Sequence, residues 1–405
     1  MQICFIANNN IGDGLSGGDR IFTELLKNWR VRANLTLVGS EEALAMVRTR
    51  VGSGVTLIRS DDKSTAKETS LPALFGHIIR RLFYGLRVVR SHEDDLRTCD
   101  CVYSVSDAYP DFFPALWLKR RFPSIIWVAG YYLFAPTPWA RDNPYRGHHF
   151  LRGLFYWLMQ RPSYWLVRRY ADVVFVTSAP DVRPFVTRRR GPGRILAVQG
   201  GVDITPSEAY LTSGQVIPVA QRRYDACFVG RFHFQKGVLI LPAIWKRVCD
   251  KRPQARLAMI GVGQLEGAVR QRITELQLDG RIDLLGFRDG AEKYEIFKQS
   301  KLIVHPATYD SGGMAAAEGM AWGLPGVSFD LEALKTYYPR GMVKAPCPDE
   351  QAFADAVLRL LDDEAFYREQ AAEARALIVE VWDWNKRAEH AFASLDAATV
   401  RSESV

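Results

Sequence analysis

The sequence has no Cys-x-x-Cys pair, no Asp-x-Asp motif and no His/Cys group at metal-ligand spacing. It therefore offers neither a zinc ribbon nor a redox dithiol, and it suggests no side-chain metal centre. Its six cysteines, Cys4, Cys99, Cys101, Cys227, Cys249 and Cys347, mostly lie inside apolar runs. Buried free thiols in a reducing, cytoplasmic compartment are expected. No basic segment followed by a long apolar run opens the chain, and MQICFIANNN reads as a first strand. Residues 122–140 carry no charge over nineteen positions, but Pro123, Gly130, Pro136 and Pro138 interrupt them. They read as a buried strand and an apolar loop rather than a membrane span. No internal repeat or low-complexity tract occurs.

What is present suits a two-domain globular enzyme. A chain of 405 residues is too long for one ordinary core and fits two domains of ~200 residues. Hydrophobic content of 48% and charged content of 24% are ordinary. The net charge of +8 favours an anionic partner, which could be a nucleotide, a membrane surface or a nucleic acid. Short apolar runs alternate with amphipathic segments along the whole chain. This predicts parallel sheets covered on both faces, with ligands outside the carboxyl ends of the strands. Periodicity fails between Asp203 and Tyr224, where the sequence ITPSEAYLTSGQVIPVAQRR places the domain boundary. The stretch 382–397 reads as an amphipathic helix, and the last residues, RSESV, read as disordered.

Three segments of the second half carry candidate chemistry. In VGRFHFQKG, Arg231 and Lys236 follow a strand, two cations placed to meet a diphosphate. In HPATYDSGGMAAAEGMAWGLPGVSFD, a loop with Asp310, Ser311, Gly312 and Gly313 leads into a helix at Met314 that carries Glu318. Glycines there allow close approach to backbone amides, and two carboxylates eight residues apart suit vicinal hydroxyls. The bland readings are solvated surface cations, a turn aspartate and a favourable helix charge. In GVGQLEG and LLGFRDG, glycines just after strands fit loops passing close to a ligand or simple turns.

The joint order Gly-Arg-x4-Lys-Gly, then Gly-Phe, then acid-x7-Glu-Gly-Met-Ala-x-Gly-Leu-Pro resembles family 4 retaining glycosyltransferases of the GT-B fold. The resemblance covers the second domain and is looser in the first. It implies two Rossmann-like, doubly wound α/β domains facing a central cleft. An acceptor-binding domain would span 1–205, with 381–405 packing back on it, and a donor-binding domain would span 220–380. It implies that Arg231 and Lys236 bind the donor diphosphate and that Glu318 holds the ribose hydroxyls. Amides around Gly312–Met314 would cradle phosphate, and Phe287 and Arg288 would line the base pocket. Asp310 takes the position of the sugar-contacting acid, usually Glu, one methylene longer. Asp310, Arg231 and Lys236 are thereby the catalytic candidates, and Ser311 belongs with the donor residues. No cofactor is implied beyond the nucleotide sugar itself, which is substrate, and cationic side chains take the place of a metal.

In the first half the resemblance points to Gly17 and Gly18, in a loop opening a helix from Arg20, as close to donor or acceptor. Many members carry a His near position 130. This chain has WVAGYYLFAP, with Gly130 or Tyr131 there, and no residue is carried over. Residues 141–169 hold six arginines and one acid, interleaved with Tyr145, Phe150, Phe155, Tyr156, Trp157, Tyr164 and Trp165. Two readings stay open, a packed helix with a solvated basic face or contact with an anionic membrane on its inner, cytoplasmic side. Nucleic acid is not an expected partner, since no recognition module accompanies the charge. The expected activity is sugar transfer onto a cell-surface glycan, lipopolysaccharide or other lipid-linked acceptor. A sugar-nucleotide epimerase and a non-catalytic sugar-nucleotide-binding partner remain alternatives.

Overall fold

The structure, a computed structural model, describes residues 1–9, 16–60, 71–140, 143, 145, 147–198, 200–310 and 312–400. They form two compact units. One holds the described residues of 1–140, 145–200 and the chain from Trp384; the other holds those of 141–144 and 201–383.

The first unit is built on seven parallel strands: β1 (Gln2–Ala7), β2 (Asn34–Gly39), β3 (Val55–Arg59), β4 (Cys101–Ser104), β5 (Ile126–Gly130), β6 (Val173–Val176) and β7 (Ile195–Ala197). They lie in the order β3-β2-β1-β4-β5-β6-β7. Alternation along each strand sends side chains to both faces. Cys4, Ile6, Val102, Trp127, Val174 and Val176 share one buried cluster. On the other face Phe5 meets the rings of Trp29 and Tyr103, and Tyr103 meets Phe175. Trp29, from the helix Gly17–Trp29, donates its indole N–H to the Ala388 carbonyl of the Trp384–Val400 helix at 2.9 Å.

The second unit has six parallel strands: β8 (Tyr224–Val229), β9 (Leu257–Ile260), β10 (Ile282–Leu284), β11 (Ser300–His305), β12 (Gly326–Phe329) and β13 (Met342–Ala345). Their order is β10-β9-β8-β11-β12-β13. Ala226, Phe228, Leu257, Met259, Leu302 and Val304 face one core, and Cys227, Ala258 and Ile303 face the other. Sequence neighbours thus divide between two layers, as the apolar runs predict for a sheet covered on both sides.

In each sheet the strand order reverses once, between β1 and β4 and between β8 and β11. Crevices at the carboxyl ends of those pairs are where such sheets bind ligands. The aperiodic stretch after Asp203 is a correction to the sequence reading, because it contains a helix, Thr205–Thr212. Pro206 stands in that helix's first turn, where no intrahelical N–H is required, and Asp203 accepts the Thr205 amide at 3.0 Å. Residues 122–140 form β5 and an irregular segment after it. Among the described residues no helix is long and apolar enough to cross a membrane. The tail 401–405 lies outside the described residues.

Candidate active site

The loops leaving β8 and β11 interlock through a glycine. Gly237 closes a short 3-10 turn, Phe234–Lys236, with φ of 68°. A Cβ on it would stand 1.9 Å from the Pro306 carbonyl oxygen. Only glycine admits both that conformation and that approach. Beside it the Thr308 amide donates to the Gln235 carbonyl at 3.0 Å. This contact brings Lys236, after β8, against Asp310, after β11, with Nζ to Oδ2 at 2.5 Å. Arg231 is exposed; its carbonyl accepts the His233 amide at 2.8 Å, and its side chain makes no hydrogen bond or ion pair with a described residue.

Asp310 gathers four donors among the described residues. Oδ2 accepts from Lys236 and from His305 Nε2 at 3.0 Å, and Oδ1 accepts the amides of Gly312 and Gly313 at 3.2 and 3.3 Å. Burial alone would raise this carboxyl. The Lys236 ammonium and the His305 ring outweigh burial and hold it well below the ordinary carboxylate range. With Asp310 ionised, His305 Nε2 must carry the proton it donates. Of the amides around Gly312–Met314 expected to cradle phosphate, Asp310 accepts those of Gly312 and Gly313. The physical reason is its short side chain, which turns back onto the amides two and three residues on. Gly313 adopts the left-handed conformation, φ 59°, and Tyr338 Oη donates to its carbonyl at 2.7 Å. Ser311 lies outside the described residues.

A second cluster surrounds Glu318, the fifth residue of the helix Met314–Met320. Small residues allow this helix to sit close on β11, and a Cβ at Gly319 would be 2.9 Å from Ile303. Glu318 is buried, and its Oε2 accepts from Lys293 Nζ at 2.9 Å. Lys293, on the helix Gly290–Lys298, also reaches Asp289 Oδ1 at 2.9 Å. Just before that helix Phe287 is 47% exposed, and Arg288 lies 3.6 Å from Glu292. Of the glycines read as ligand-facing or turn positions, Gly261 joins two loops. Gly261 donates to the Gly286 carbonyl at 2.8 Å and leaves no room for a Cβ against the Gly230 carbonyl oxygen.

In the first unit the glycine pair opens the helix directly. The helix begins at Gly17, not Arg20, because Ser16 caps it reciprocally with Asp19. Gly18 faces the Tyr132 ring, whose hydroxyl meets that of Tyr103. Tyr131 is fully buried among Phe134, Tyr164 and Phe185 and is a core residue. A Cβ at Gly130 would lie 2.8 Å from the Val105 carbonyl oxygen. Sequence reasoning missed Asp111. Its Oδ1 accepts the Asn8 and Asn9 amides at 2.6 and 3.0 Å at the end of β1, and Ser106 donates to its Oδ2. Burial pushes its pKa up to about 7 against those hydrogen bonds. His305 and Lys293 were also missed. One ends a strand and the other sits inside an amphipathic helix, and neither belongs to a spaced motif.

Comparison with known proteins fits this geometry. The family model for glycosyl transferases group 1 matches residues 214–377. The chain is 25% identical over 229 residues to a glycogen synthase of Mycobacterium tuberculosis, covering 54% of this chain and 52% of that protein. It is 27% identical over 171 residues to a GDP-mannose-dependent phosphatidylinositol dimannoside mannosyltransferase of the same organism, 42% of each. The chain spans about half the length of the curated relatives it matches. Among solved structures, Anabaena HepE in complex with UDP-glucose superposes with a TM-score of 0.68 at 17% identity, over 97% of this chain and 100% of that one. The two parallel α/β units are those of the GT-B fold. Residues 214–377 thus match the group 1 glycosyltransferases, and the match to the GT-B fold runs along the length of the chain.

Proposed function

We propose that this chain transfers a sugar from a nucleoside-diphosphate sugar to an acceptor hydroxyl with retention of configuration, in the synthesis of a cell-surface polysaccharide or glycolipid. The observation that carries this is the meeting of Lys236, Asp310 and His305 at the crevice between β8 and β11. Arg231 and Lys236 would offset charge growing on the leaving diphosphate, so that no metal is called on for that role. Glu318 would accept from the ribose hydroxyls, Phe287 and Arg288 would face the base, and Asp310 the sugar. Donor phosphate arriving at Lys236 competes with Asp310 for the ammonium, and the release of Asp310 turns its carboxylate toward the sugar. The UDP-glucose of the HepE complex and the GDP-mannose dependence of the mannosyltransferase relative make uridine and guanosine diphosphates sensible first probes.

The test is binding and turnover of UDP- and GDP-sugars by Lys236→Ala and Glu318→Ala. Each is expected to weaken nucleotide binding about tenfold or more and to reduce transfer at least as much. Wild-type transfer in both variants would sink the assignment. Conversion of the donor sugar without any acceptor would replace it with an epimerase.

We further propose that the first unit rests on an anionic membrane surface. The helices Leu71–Ser91 and Phe150–Tyr170 carry four arginines each and no acid. Leu151, Leu158 and Trp165, seven residues apart, are exposed on one, and Phe75 and Phe83 are exposed on the other. The Phe75 and Phe155 rings meet at 6.5 Å, so the two apolar faces adjoin. Residues 141, 142, 144 and 146 of the basic stretch lie outside the described residues.

A further inference from the structure

Lys293 plays no part in the reaction as proposed, yet it sits where its charge has to be accounted for. It is 4% exposed. Taking an ammonium out of water costs several kcal/mol unless well-placed partners replace the lost hydration. Two carboxylates do so here, Asp289 Oδ1 and Glu318 Oε2, each at 2.9 Å from Nζ. Asp289 stands at the N-cap of the helix Gly290–Lys298, where an aspartate ordinarily accepts a helix amide. Its side chain makes no such cap bond and is turned onto Lys293, one turn along. The sequence thus forgoes a local capping contact and keeps an ion triad around a buried ammonium.

That triad joins two places that the proposed reaction needs in register. Glu318 lies on the helix Met314–Met320, and Asp289 directly follows Phe287 and Arg288. A carboxylate that receives vicinal hydroxyls works only when ionised and held in one rotamer. A single ammonium on one of its oxygens meets both conditions.

We infer that Lys293 is the positioning residue of the donor nucleoside: its ammonium aims Glu318 at the ribose hydroxyls and fixes the loop of Phe287 and Arg288 at the matching distance. Lys293 itself touches no substrate. The inference rests on the reading of Glu318 as the ribose acceptor. A purely structural ion pair predicts something different, since its loss would weaken the fold and the binding of all nucleotides alike.

The discriminating quantity is the preference for ribose over a sugar without its hydroxyls. Calorimetric affinities of the full chain are compared for UDP and GDP against their 2′,3′-dideoxy forms. The proteins are wild type, Glu318→Gln, Lys293→Met and the double variant Lys293→Met/Asp289→Asn. The double variant removes one carboxylate together with the ammonium, so the cluster keeps the net charge of minus one that it has in wild type. Wild type is expected to favour the ribonucleotide about tenfold. Both Lys293 variants are expected to cut that preference to about threefold or less, while binding the dideoxy forms within about threefold of wild type. A folded Lys293 variant that keeps the wild-type preference while Glu318→Gln loses it overturns the inference and leaves the reading of Glu318 standing. If Glu318→Gln itself keeps the preference, the ribose reading fails first.

Discussion

A carboxylate that already accepts four hydrogen bonds has no lone pair to spare for a sugar. Asp310 is in that state, with Lys236 and His305 on one oxygen and two glycine amides on the other. Its one missing methylene, visible in the sequence, explains this, because an aspartate reaches its own following amides where a longer acid overshoots them. The other buried acid, Asp111, is held differently. Among the described residues it has two amides and a hydroxyl but no cation, and burial raises it from 3.8 to about 7, with Asp19 adding to the rise. A raised folded value has a definite sign. The group's contribution to stability is fully present below 3.8 and is lost as pH rises through about 7. Asp111→Asn keeps an acceptor for the Asn8 and Asn9 amides and gives Ser106 a donor. Denaturant melts from pH 5 to 8.5 should show wild type losing stability on the order of 2 kcal/mol across the neutral range. The variant should stay flat and be the more stable protein at pH 8.5. Parallel curves for the two proteins would show that Asp111 is ionised throughout.

At the scale of elements, the short apolar runs and amphipathic stretches were enough to read two parallel sheets, since the inner strands are buried on two faces and depend little on remote partners. What escaped depended on contacts across the fold. The helix Thr205–Thr212 has a hydrophobic face too weak to register, and it starts on a proline and a side-chain acceptor instead. The glycines after β9 looked like room for a ligand or a simple turn, yet a Cβ on Gly261 or Gly263 would strike the backbone of the loop after β8. Gly237 is the sharpest instance, because Lys236 meets Asp310 only while the two loops stay locked there. Gly237→Ala would place a Cβ on the Pro306 carbonyl and force a left-handed residue, a strain of about 1–3 kcal/mol before any repacking. Nucleotide binding is expected to fall about as far as in Lys236→Ala, with a lower melting temperature. Isothermal titration and thermal melts check this. Wild-type affinity in a folded variant would mean that the loop contact does not position Lys236.

At the scale of the whole molecule, the excess of eight positive charges is spread unevenly. The helices Leu71–Ser91 and Phe150–Tyr170 contain eight arginines and no acid, with Arg81 turned inward to Glu42 and Arg80, Arg87, Arg90, Arg168 and Arg169 exposed. A nucleotide-sized anion needs two or three cations at one point, not a field along two helices of 21 residues each. Exposed Leu151, Leu158 and Trp165 interleaved with that field match the boundary between headgroups and acyl chains, where apolar burial and surface charge act together. Flotation with vesicles containing anionic phosphatidylglycerol should retain wild type at low salt and release it as salt screens the arginines. Leu158→Glu/Trp165→Glu should lower vesicle binding about tenfold or more, since each removes apolar burial and adds charge facing the lipid. Because neither residue belongs to the unit that carries Lys236 and Glu318, UDP and GDP affinities should be those of wild type. Binding to neutral and anionic vesicles alike, or retention by the double variant, would reject the membrane reading and leave these helices a solvated basic face.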